Sequence, residues 1–565
     1  MQKFPQVARR RVQKAADALP QPDPAAAPLG AIARFDLLLQ QAVHGEDPVG
    51  VTSGRFALLN REFDFGGVDA IDWRGNFNEG NNPLRRMNLA YMGYAVPLLA
   101  HGRAADLAAV AAILHSLEEQ NGFAEAGVFR DVWNAYTASH RLINLLCGLA
   151  LYRAAGGAAD EAAEGAMLDH VRLCAAFIAG NLERDLQYNH LLKNLVALAV
   201  FSAAAGGIPP SFAFLDGAIR ASLRQNVLED GGHAERCPMY HALSVLDLEM
   251  LTAGGVVSRE TGAMLTDALA RMKPALSVMT HPDGDIALFN DSWLGEAPAT
   301  RDLVPFTAGD GISRLRDTGY VRLGGGRDAV LFDCGKCGPD DNPGHAHADF
   351  LSVEISIGGE RFIVDPGVPT YTAGKARDAS RSAAAHNGPH FAGAEPIEFW
   401  KSFRVGRRGQ AWELTDARLG GIAPLWCAGA QNGYAPLGGE VRRFIGLWPG
   451  KALLIADLWT GAPGRDAASH FLVPEGWSLA AGRDGAFRKG ATRVRLSCFA
   501  GKIVGIDKAS CWQRFGVEQA AHRVVVQPGT GAGFRTAALW ITWSDDAPEP
   551  SSEALAGLFE SLRVC

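Results

Sequence analysis

The sequence lacks the features that mark several large classes of protein. Its longest apolar run, Leu191 to Ala205, is interrupted by Lys193 and Asn194 and is too short to span a bilayer. Basic residues are not in excess, since 54 Lys and Arg oppose 61 Asp and Glu, and a net charge of −7 disfavours a nucleic-acid-binding protein. Glycine and proline follow no triplet repeat, and 48% hydrophobic residues argue against disorder. A globular protein remains.

A secretory signal and a disulfide framework are also missing. The first twenty residues are basic, but no apolar segment follows them. The nine cysteines are an odd number scattered through apolar surroundings, which is typical of reduced thiols. We therefore expect a cytoplasmic protein that inserts into no membrane. A periplasmic location is the alternative if a signal has been removed.

The hydrophobic periodicity changes near residue 300. Before it, apolar residues recur at helical spacing in Ala104–Leu117, Ala138–Ala154, Glu161–Ile178, Leu191–Ala205, Phe212–Val227 and Ser244–Ala253. After about residue 310, apolar and polar residues alternate, first in Leu351–Ile357 and Arg361–Val364, which flank a Gly-Gly turn. Further strand-like runs include Glu398–Val405, Val441–Leu447 and Ala452–Leu458. The pattern predicts a multidomain α+β protein, with an α-helical domain over residues 1–305 and an antiparallel β-sandwich over residues 306–565.

The strongest local motif is Gly344-His-Ala-His-Ala-Asp349, which leads into a predicted strand. In an extended chain His345, His347 and Asp349 share one face, because side chains alternate with a period of two. Imidazole and carboxylate groups suit zinc or a similar divalent ion. Asp365 and His386 are further candidate ligands. The alternative is that these are ordinary surface-loop residues.

A second motif is Tyr188-Asn-His-Leu-Leu-Lys-Asn194, at the start of an apolar helix. We expect Asn189 to cap this helix, His190 to lie in its first turn, and Asn194 to follow on the same face. An ordinary helix cap beside an incidental histidine explains the motif equally well.

A third motif is the glycine-rich loop Asp230–His241, which is dense in titratable groups and opens a helix near Tyr240. Loops held by a rigid scaffold often carry function. We take His233, Glu235 and Arg236 as candidate substrate-binding residues, together with Asn194. The alternatives are that Tyr240 is a core aromatic residue and Arg236 an ordinary ion-pair partner.

These motifs, taken in their order along the chain, resemble the heparinase II/III-like polysaccharide lyases, a group that includes oligoalginate lyases. The resemblance extends from about residue 73 to the C-terminus, and its most specific part is the HxHxD stretch. It implies an incomplete (α/α) toroid followed by an antiparallel β-sandwich. It also implies β-elimination on a uronic acid-containing polysaccharide or oligosaccharide, either glycosaminoglycan-like or alginate-like.

The resemblance implies a role for each candidate residue. Asn189, with His190 nearby, would neutralise the uronate carboxylate, because the adjacent proton is otherwise too weakly acidic to remove. Tyr240 would be the general base and also the acid for the departing oxygen, although a phenol with a usual pKa near 10 needs help to ionise. His345 would be a second base or a contact to the carboxylate. The substrate would be an acidic polysaccharide, and homo-oligomerisation is left open.

The resemblance also implies a metal. His347, Asp365 and His386 would hold a divalent ion, most often zinc, in a structural role, and Asp349 would orient His347 or substitute as a ligand. Two other functions are compatible with the same residues. One is a metal-dependent glycan hydrolase built on the HxHxD motif, and the other is a non-catalytic protein that binds acidic glycans.

Overall fold

A computed structural model describes residues 5–77, 83–306, 309–480, 485–530 and 533–565. The chain forms two compact units, which we call the helical unit and the β unit. The helical unit comprises Met1–Val227, Ala242–Ala270 and Gly295–Pro298, and the β unit comprises Leu228–His241, Arg271–Leu294 and Ala299–Cys565. The predicted order, helices first and antiparallel strands afterwards, is confirmed.

The helices are, in chain order, α1 (Pro5–Asp17), α2 (Ala27–His44), α3 (Leu84–Tyr91), α4 (Ala95–Leu99), α5 (Ala104–Gln120), α6 (Ala135–Ala154), α7 (Glu161–Ala179), α8 (Tyr188–Ala204), α9 (Leu215–Asn226), α10 (Pro238–Gly254), α11 (Arg259–Val278), α12 (Thr300–Leu303), α13 (Lys375–Arg381) and α14 (Ser552–Val564). No helix in these described ranges is both long and apolar enough to cross a membrane.

Helix α6 is the centre of the helical unit. It packs against α2, α4, α7 and α8, and three quarters of its residues are buried. Helix α8 is buried to a similar degree and begins at Tyr188, one residue before Asn189. The expectation that Asn189 caps this helix is therefore wrong. Gln187 occupies the cap position with φ +57° and makes no side-chain cap.

The strands are β1 (Arg55–Leu58), β2 (Arg61–Asp64), β3 (Gly311–Leu315), β4 (Tyr320–Gly325), β5 (Asp328–Asp333), β6 (Val353–Ile357), β7 (Glu360–Ile363), β8 (Pro389–Phe391), β9 (Ile397–Trp400), β10 (Arg404–Arg408), β11 (Ala411–Glu413), β12 (Leu425–Gln431), β13 (Glu440–Trp448), β14 (Ala452–Thr460), β15 (Ala467–Pro474), β16 (Ser478–Leu479), β17 (Ala486–Lys489), β18 (Thr492–Ala500), β19 (Lys502–Arg514), β20 (Val517–Gln527), β21 (Gly529–Thr530) and β22 (Phe534–Thr542).

Three larger antiparallel sheets and the two-stranded β9–β10 sheet build the described part of the β unit. A nine-stranded sheet has the order β11-β12-β13-β14-β22-β18-β17-β16, with β21 paired to β22; a four-stranded sheet has the order β19-β20-β15-β8; and a five-stranded sheet has the order β3-β4-β5-β6-β7. One apolar core contains Ile355, Ile455 and Phe471, so it joins strands of all three sheets. Helix α14 covers a second cluster on the nine-stranded sheet. The alternating pattern arises because one face of each strand packs into such a core.

Two details of the predicted strands differ from the structure. Strand β6 begins at Val353, so residues 344–349 form a loop and not the start of a strand. The run 398–405 folds back on itself as the β9–β10 hairpin. The Gly358–Gly359 turn predicted between β6 and β7 is present, and both glycines have positive φ. All nine cysteines are free.

Candidate functional site

Asp291 is the centre of a buried charge network in the β unit. Its Oδ2 accepts a hydrogen bond from His345 Nδ1 at 3.0 Å, and its Oδ1 accepts one from His347 Nε2 at 2.9 Å. Arg377 completes the network, with Nη2 donating to Oδ2 at 2.7 Å. One carboxylate therefore fixes both histidines of the HxHxD motif.

The electrostatics keep Asp291 ionised. Burial alone raises the pKa of this carboxyl, but the Arg377 guanidinium and the hydrogen bonds from His345 and His347 hold it well below its usual value. A carboxylate only accepts, so the Nδ1 of His345 carries a proton, and Nε2 is the ring nitrogen that can offer a lone pair. This Nε2 lies 3.8 Å from Glu235 Oε1, and the His345 side chain is 14% exposed. The arrangement suits His345 as a base.

Tyr240 lies beside His345, in the first turn of α10. The ring centroids are 4.4 Å apart, and the Tyr240 hydroxyl lies 3.5 Å from that of Tyr371. Burial, with Tyr371 nearby, raises the pKa of Tyr240 well above its usual value, so the phenol is protonated at neutral pH. The Arg377 guanidinium lies 4.8 Å from the centroid of the Tyr371 ring. A protonated phenol beside a histidine that can act as a base is an acid–base pair.

The loop before α10 has a structural role in holding this pair. The guanidinium of Arg236 donates to the backbone carbonyls of Ala234, Asp317 and Thr318. Its φ is +52°, a conformation that side-chain-bearing residues rarely adopt. His233 is buried, its Nδ1 accepts from the backbone N–H of Glu235 at 3.3 Å, and burial lowers its pKa to about 3. Of the three loop residues predicted to bind substrate, Glu235 has a carboxylate oxygen 3.8 Å from His345 Nε2.

Asn290 connects the loops around the pair. Its side chain accepts from the backbone N–H of His347 at 2.9 Å and donates to the carbonyl of Arg236 at 2.9 Å and to the hydroxyl of Tyr320 at 3.3 Å. Its own N–H donates to Asp349 at 2.9 Å. Asn290 has φ +58°, which asparagine tolerates better than most residues. The carboxylate bonded to the His347 ring is Asp291, whereas Asp349, which was expected to orient His347 or to substitute as a ligand, accepts from Asn290.

The predicted metal ligands are close together, but they form no complete site. His347 and His386 have ring centroids 5.2 Å apart, and His386 Nδ1 donates to Asp365 Oδ2 at 2.8 Å. His347 Nδ1 and His386 Nε2 are buried and have no hydrogen-bond partner within the described part of the chain, so two nitrogen donors of the kind zinc prefers are available. Among the described residues, no group of three or more His, Cys, Asp or Glu side chains is arranged to hold a metal ion.

The pKa values of these groups reflect their pairing. Burial lowers the pKa of His347 to about 3. Burial also opposes the charge on His386, but the Asp365 carboxylate outweighs this effect and raises the pKa of His386. The pKa of Asp365 rises to about 6, because burial outweighs the attraction of His386.

The helical unit contains the second group of predicted residues. Asn189 is buried, yet its amide has no hydrogen-bond partner among the described residues. The His190 ring lies 4.3 Å from that of Tyr136, and its Nδ1 lies 3.4 Å from Glu183 Oε1. Asn194 is fully buried, accepts from the backbone N–H of Glu183 at 2.9 Å and donates to its side chain at 3.0 Å. Asn194 thus fixes the Glu183 loop, and the amide of Asn189 is available to a ligand.

Sequence reasoning missed four residues of the β-unit site: Asn290, Asp291, Tyr371 and Arg377. The first two had a detectable signal, because Asn290-Asp291-Ser292 is a polar triplet directly after the apolar run Ile286–Phe289. Tyr371 and Arg377 lie in an irregular segment and a short helix and carry no such signal.

Comparisons with known proteins bear on the family and the fold of the chain. Residues 307–546 match the family model described as heparinase II/III-like, C-terminal. The predicted resemblance to that family is confirmed over this part of the chain. No curated protein matches the sequence significantly.

Solved structures of similar fold cover nearly the whole chain. A heparinase III structure has a TM-score of 0.68 at 14% identity and covers 95% of this chain and 89% of its own. A heparan sulfate lyase from Pedobacter heparinus has a TM-score of 0.58 at 14% identity, with coverages of 97% and 90%. These likenesses confirm the fold class, an incomplete (α/α) toroid followed by an antiparallel β-sandwich.

Proposed function

We propose that this protein is a polysaccharide lyase that cleaves a uronate-containing polysaccharide or oligosaccharide by β-elimination. The observation that carries the proposal is the contact between Tyr240 and His345, with His345 held by Asp291. The match of residues 307–546 to the heparinase II/III-like family model supports it. So do the names of the structural neighbours, which include a heparan sulfate lyase.

The reaction needs one base and one acid. His345 Nε2 takes the proton on the carbon next to the uronate carboxylate, and the electron pair passes to the carboxylate as an enolate. The pair then forms a ring double bond while the glycosidic carbon–oxygen bond breaks, and the phenol of Tyr240 donates its proton to the departing oxygen. No water is added. Asn189 and His190 are predicted to neutralise the carboxylate, which lowers the energy of the enolate.

The first test is the product. The purified protein is incubated with heparan sulfate, chondroitin, hyaluronan, polygalacturonate and alginate, and product masses and ultraviolet absorbance are recorded. A lyase gives an absorbing unsaturated uronate, with fragment masses that sum to that of the substrate. Fragments heavier by one water would indicate a hydrolase, and binding without cleavage would indicate a non-catalytic glycan-binding protein.

Isotope exchange in D₂O tests which residue is the base. With the assigned roles, Tyr240→Phe still exchanges the proton beside the carboxylate for deuterium but does not break the chain. His345→Gln loses both exchange and cleavage. The opposite pattern would make Tyr240 the base.

We also propose that His347, Asp365 and His386 take up a divalent ion, with zinc the first candidate. The partnerless buried nitrogens of His347 and His386 support this, because such atoms are costly unless they meet a donor or a cation. The ion would supply positive charge that ties these loops together. Elemental analysis of the purified protein should give about one metal per chain, and His386→Ala should lose it. A metal-free wild-type protein whose melting temperature does not respond to added zinc would contradict the site.

A further inference from the structure

The β unit contains a second polar cavity, of about 910 Å³, which shares no lining residue with the Tyr240–His345 site. It lies where several turns meet: the β4–β5 turn, the β6–β7 turn, the β13–β14 turn and the β17–β18 turn. The segment after β22 completes it, beginning at Trp543. We call it the turn cavity.

The walls of the turn cavity are tied together by a buried carboxylate. Asp328 is 4% exposed; its Oδ1 accepts from the backbone N–H of Gly358 at 2.8 Å, and its Oδ2 accepts from that of Gly450 at 2.7 Å. Three turns are thereby held in one arrangement. Both oxygens of Asp328 are bonded to backbone amides, so this carboxylate is part of the wall.

Two glycines allow the turns to approach closely. A Cβ on Gly325 would lie 2.4 Å from a ring carbon of Pro449, and a Cβ on Gly359 would lie 2.5 Å from the guanidinium of Arg327. Any larger residue at position 359 would displace that guanidinium. Arg327 therefore lies against the backbone of the β6–β7 turn, although its side chain is exposed.

The charged groups of the cavity are mostly guanidinium groups. Arg327, Arg493 and Arg495 line it. Arg495 is paired with Asp545 at 2.6 Å, whereas Arg327 and Arg493 form no ion pair among the described residues. Two unpaired guanidinium groups on neighbouring turns suit a carboxylate or a sulfate, since their donors match such oxygens bidentately.

The remaining lining adds groups that suit a sugar. Trp543 is half-buried, packs against the core and lines the cavity, and the hydroxyl of Thr492 lines it as well. An indole offers a flat apolar surface, and a hydroxyl offers hydrogen bonding to ring substituents. A small inorganic anion would use the arginines and leave the indole without a contact.

We propose that the turn cavity binds an acidic sugar residue, with its carboxylate or sulfate held by Arg327 and Arg493 and its ring against Trp543. The choice of a saccharide over other anions rests on the proposed function. The cavity would anchor a polyanionic chain at a point separate from the residues that cleave it.

The test compares binding of a size-defined heparin decasaccharide to four full-length proteins by calorimetry. All four carry Tyr240→Phe, so that no chain is cleaved; one has this change alone, and the others add Arg327→Ala/Arg493→Ala, Trp543→Ala or Arg488→Ala. Arg488 is a matched control, because it is an exposed arginine opposite Arg493 on the same β17–β18 hairpin but does not line the cavity.

We expect the double variant to weaken binding by at least tenfold and Arg488→Ala by less than twofold. Trp543→Ala should weaken it at least threefold. In the Tyr240-intact protein, the double variant should raise KM for long chains and leave kcat on the shortest cleaved oligosaccharide unchanged. Equal losses for the double variant and the control would overturn the proposal. So would a single-stranded DNA oligonucleotide that binds as tightly with the same arginine dependence.

The two proposals fail in different ways. If the decasaccharide binds with the expected arginine dependence but no uronate polymer is cleaved, the lyase function fails and the turn cavity stands. If polymers are cleaved but the double variant binds and cleaves like the wild type, the turn cavity fails and the lyase stands.

Discussion

The two units hold their candidate functional groups in different ways. In the β unit, His345 and His347 are fixed by Asp291, which is itself held by the guanidinium of Arg377. In the helical unit, the amide of Asn189 has no partner among the described residues. In the β unit, the contacts that position the candidate groups therefore also stabilise the fold. In the helical unit, the candidate amide can be removed without the loss of such a contact. Variants in both units test this difference.

The largest effect is expected for Asp291→Asn. It leaves the buried Arg377 guanidinium without its counter-charge, and breaking a buried pair by removing one partner typically costs about 3–5 kcal/mol. Chemical denaturation should show a loss of this size, with a matching fall in lyase activity. Replacing both partners, as Asp291→Leu/Arg377→Met, should recover a large part of the stability and none of the activity. If the single variant lowers the free energy of unfolding by less than about 1 kcal/mol, the network does not stabilise the fold.

The next effect is on turnover alone. Asn189→Ala should lower kcat/KM by about 10²–10³, the usual cost of removing one donor that stabilises developing charge. Its free energy of unfolding should change by less than about 0.5 kcal/mol, because no hydrogen bond within the protein is lost. Asn194→Ala is the matched control and should destabilise by about 1–3 kcal/mol, since it leaves buried groups unpaired. Equal destabilisation by both variants would contradict the distinction.

A third effect depends on pH. Burial lowers the pKa of His233 to about 3, so the folded ring is neutral while the unfolded ring takes a proton below about pH 6.5. Stability is therefore present above that pH and is lost as the pH falls. His233→Gln should remove about 2 kcal/mol of the decrease in unfolding free energy between pH 7 and pH 5.

His44 extends the pH comparison to the helical unit. Burial lowers its pKa to about 4. The unfolding free energy of His44→Gln should therefore fall less between pH 7 and pH 5 than that of the wild type, by an amount similar to that expected for His233→Gln. Urea unfolding at the two pH values measures both variants. If neither variant alters the pH dependence, these rings are not neutral in the folded protein.

The smallest effect concerns the turn that precedes Asn189. Gln187 has φ +57°, a conformation that glycine adopts without strain. Gln187→Gly should therefore raise the free energy of unfolding by about 0.5–1 kcal/mol. Ala199→Gly, within the same helix, should instead lower it by about 1 kcal/mol. A destabilising Gln187→Gly would mean that its side-chain bond to Gln225 outweighs the strain.

The sequence allowed the helices to be predicted more fully than the site. Helices α5 to α8 were located by their apolar periodicity to within three residues, because burial of one face dictates that spacing. The HxHxD histidines were also identified. The motif is a loop and not the predicted extended strand, and the two rings meet because both bond to Asp291.

The missing part of the site depends on long-range contacts. Asp291 and Arg377 are far apart in the sequence, and no local spacing relates them. Tyr371 had no pattern that distinguished it from a core aromatic residue. Such partners become visible only when the loops are brought together by the sheets.

Asn290 has a consequence for how the protein folds. Its single amide joins segments near residues 236, 320 and 347, which are remote from one another along the chain. Contacts of this kind carry a large entropy of loop closure and form slowly. We therefore expect the candidate active centre to become ordered late in the folding of the β unit, after its strands have paired.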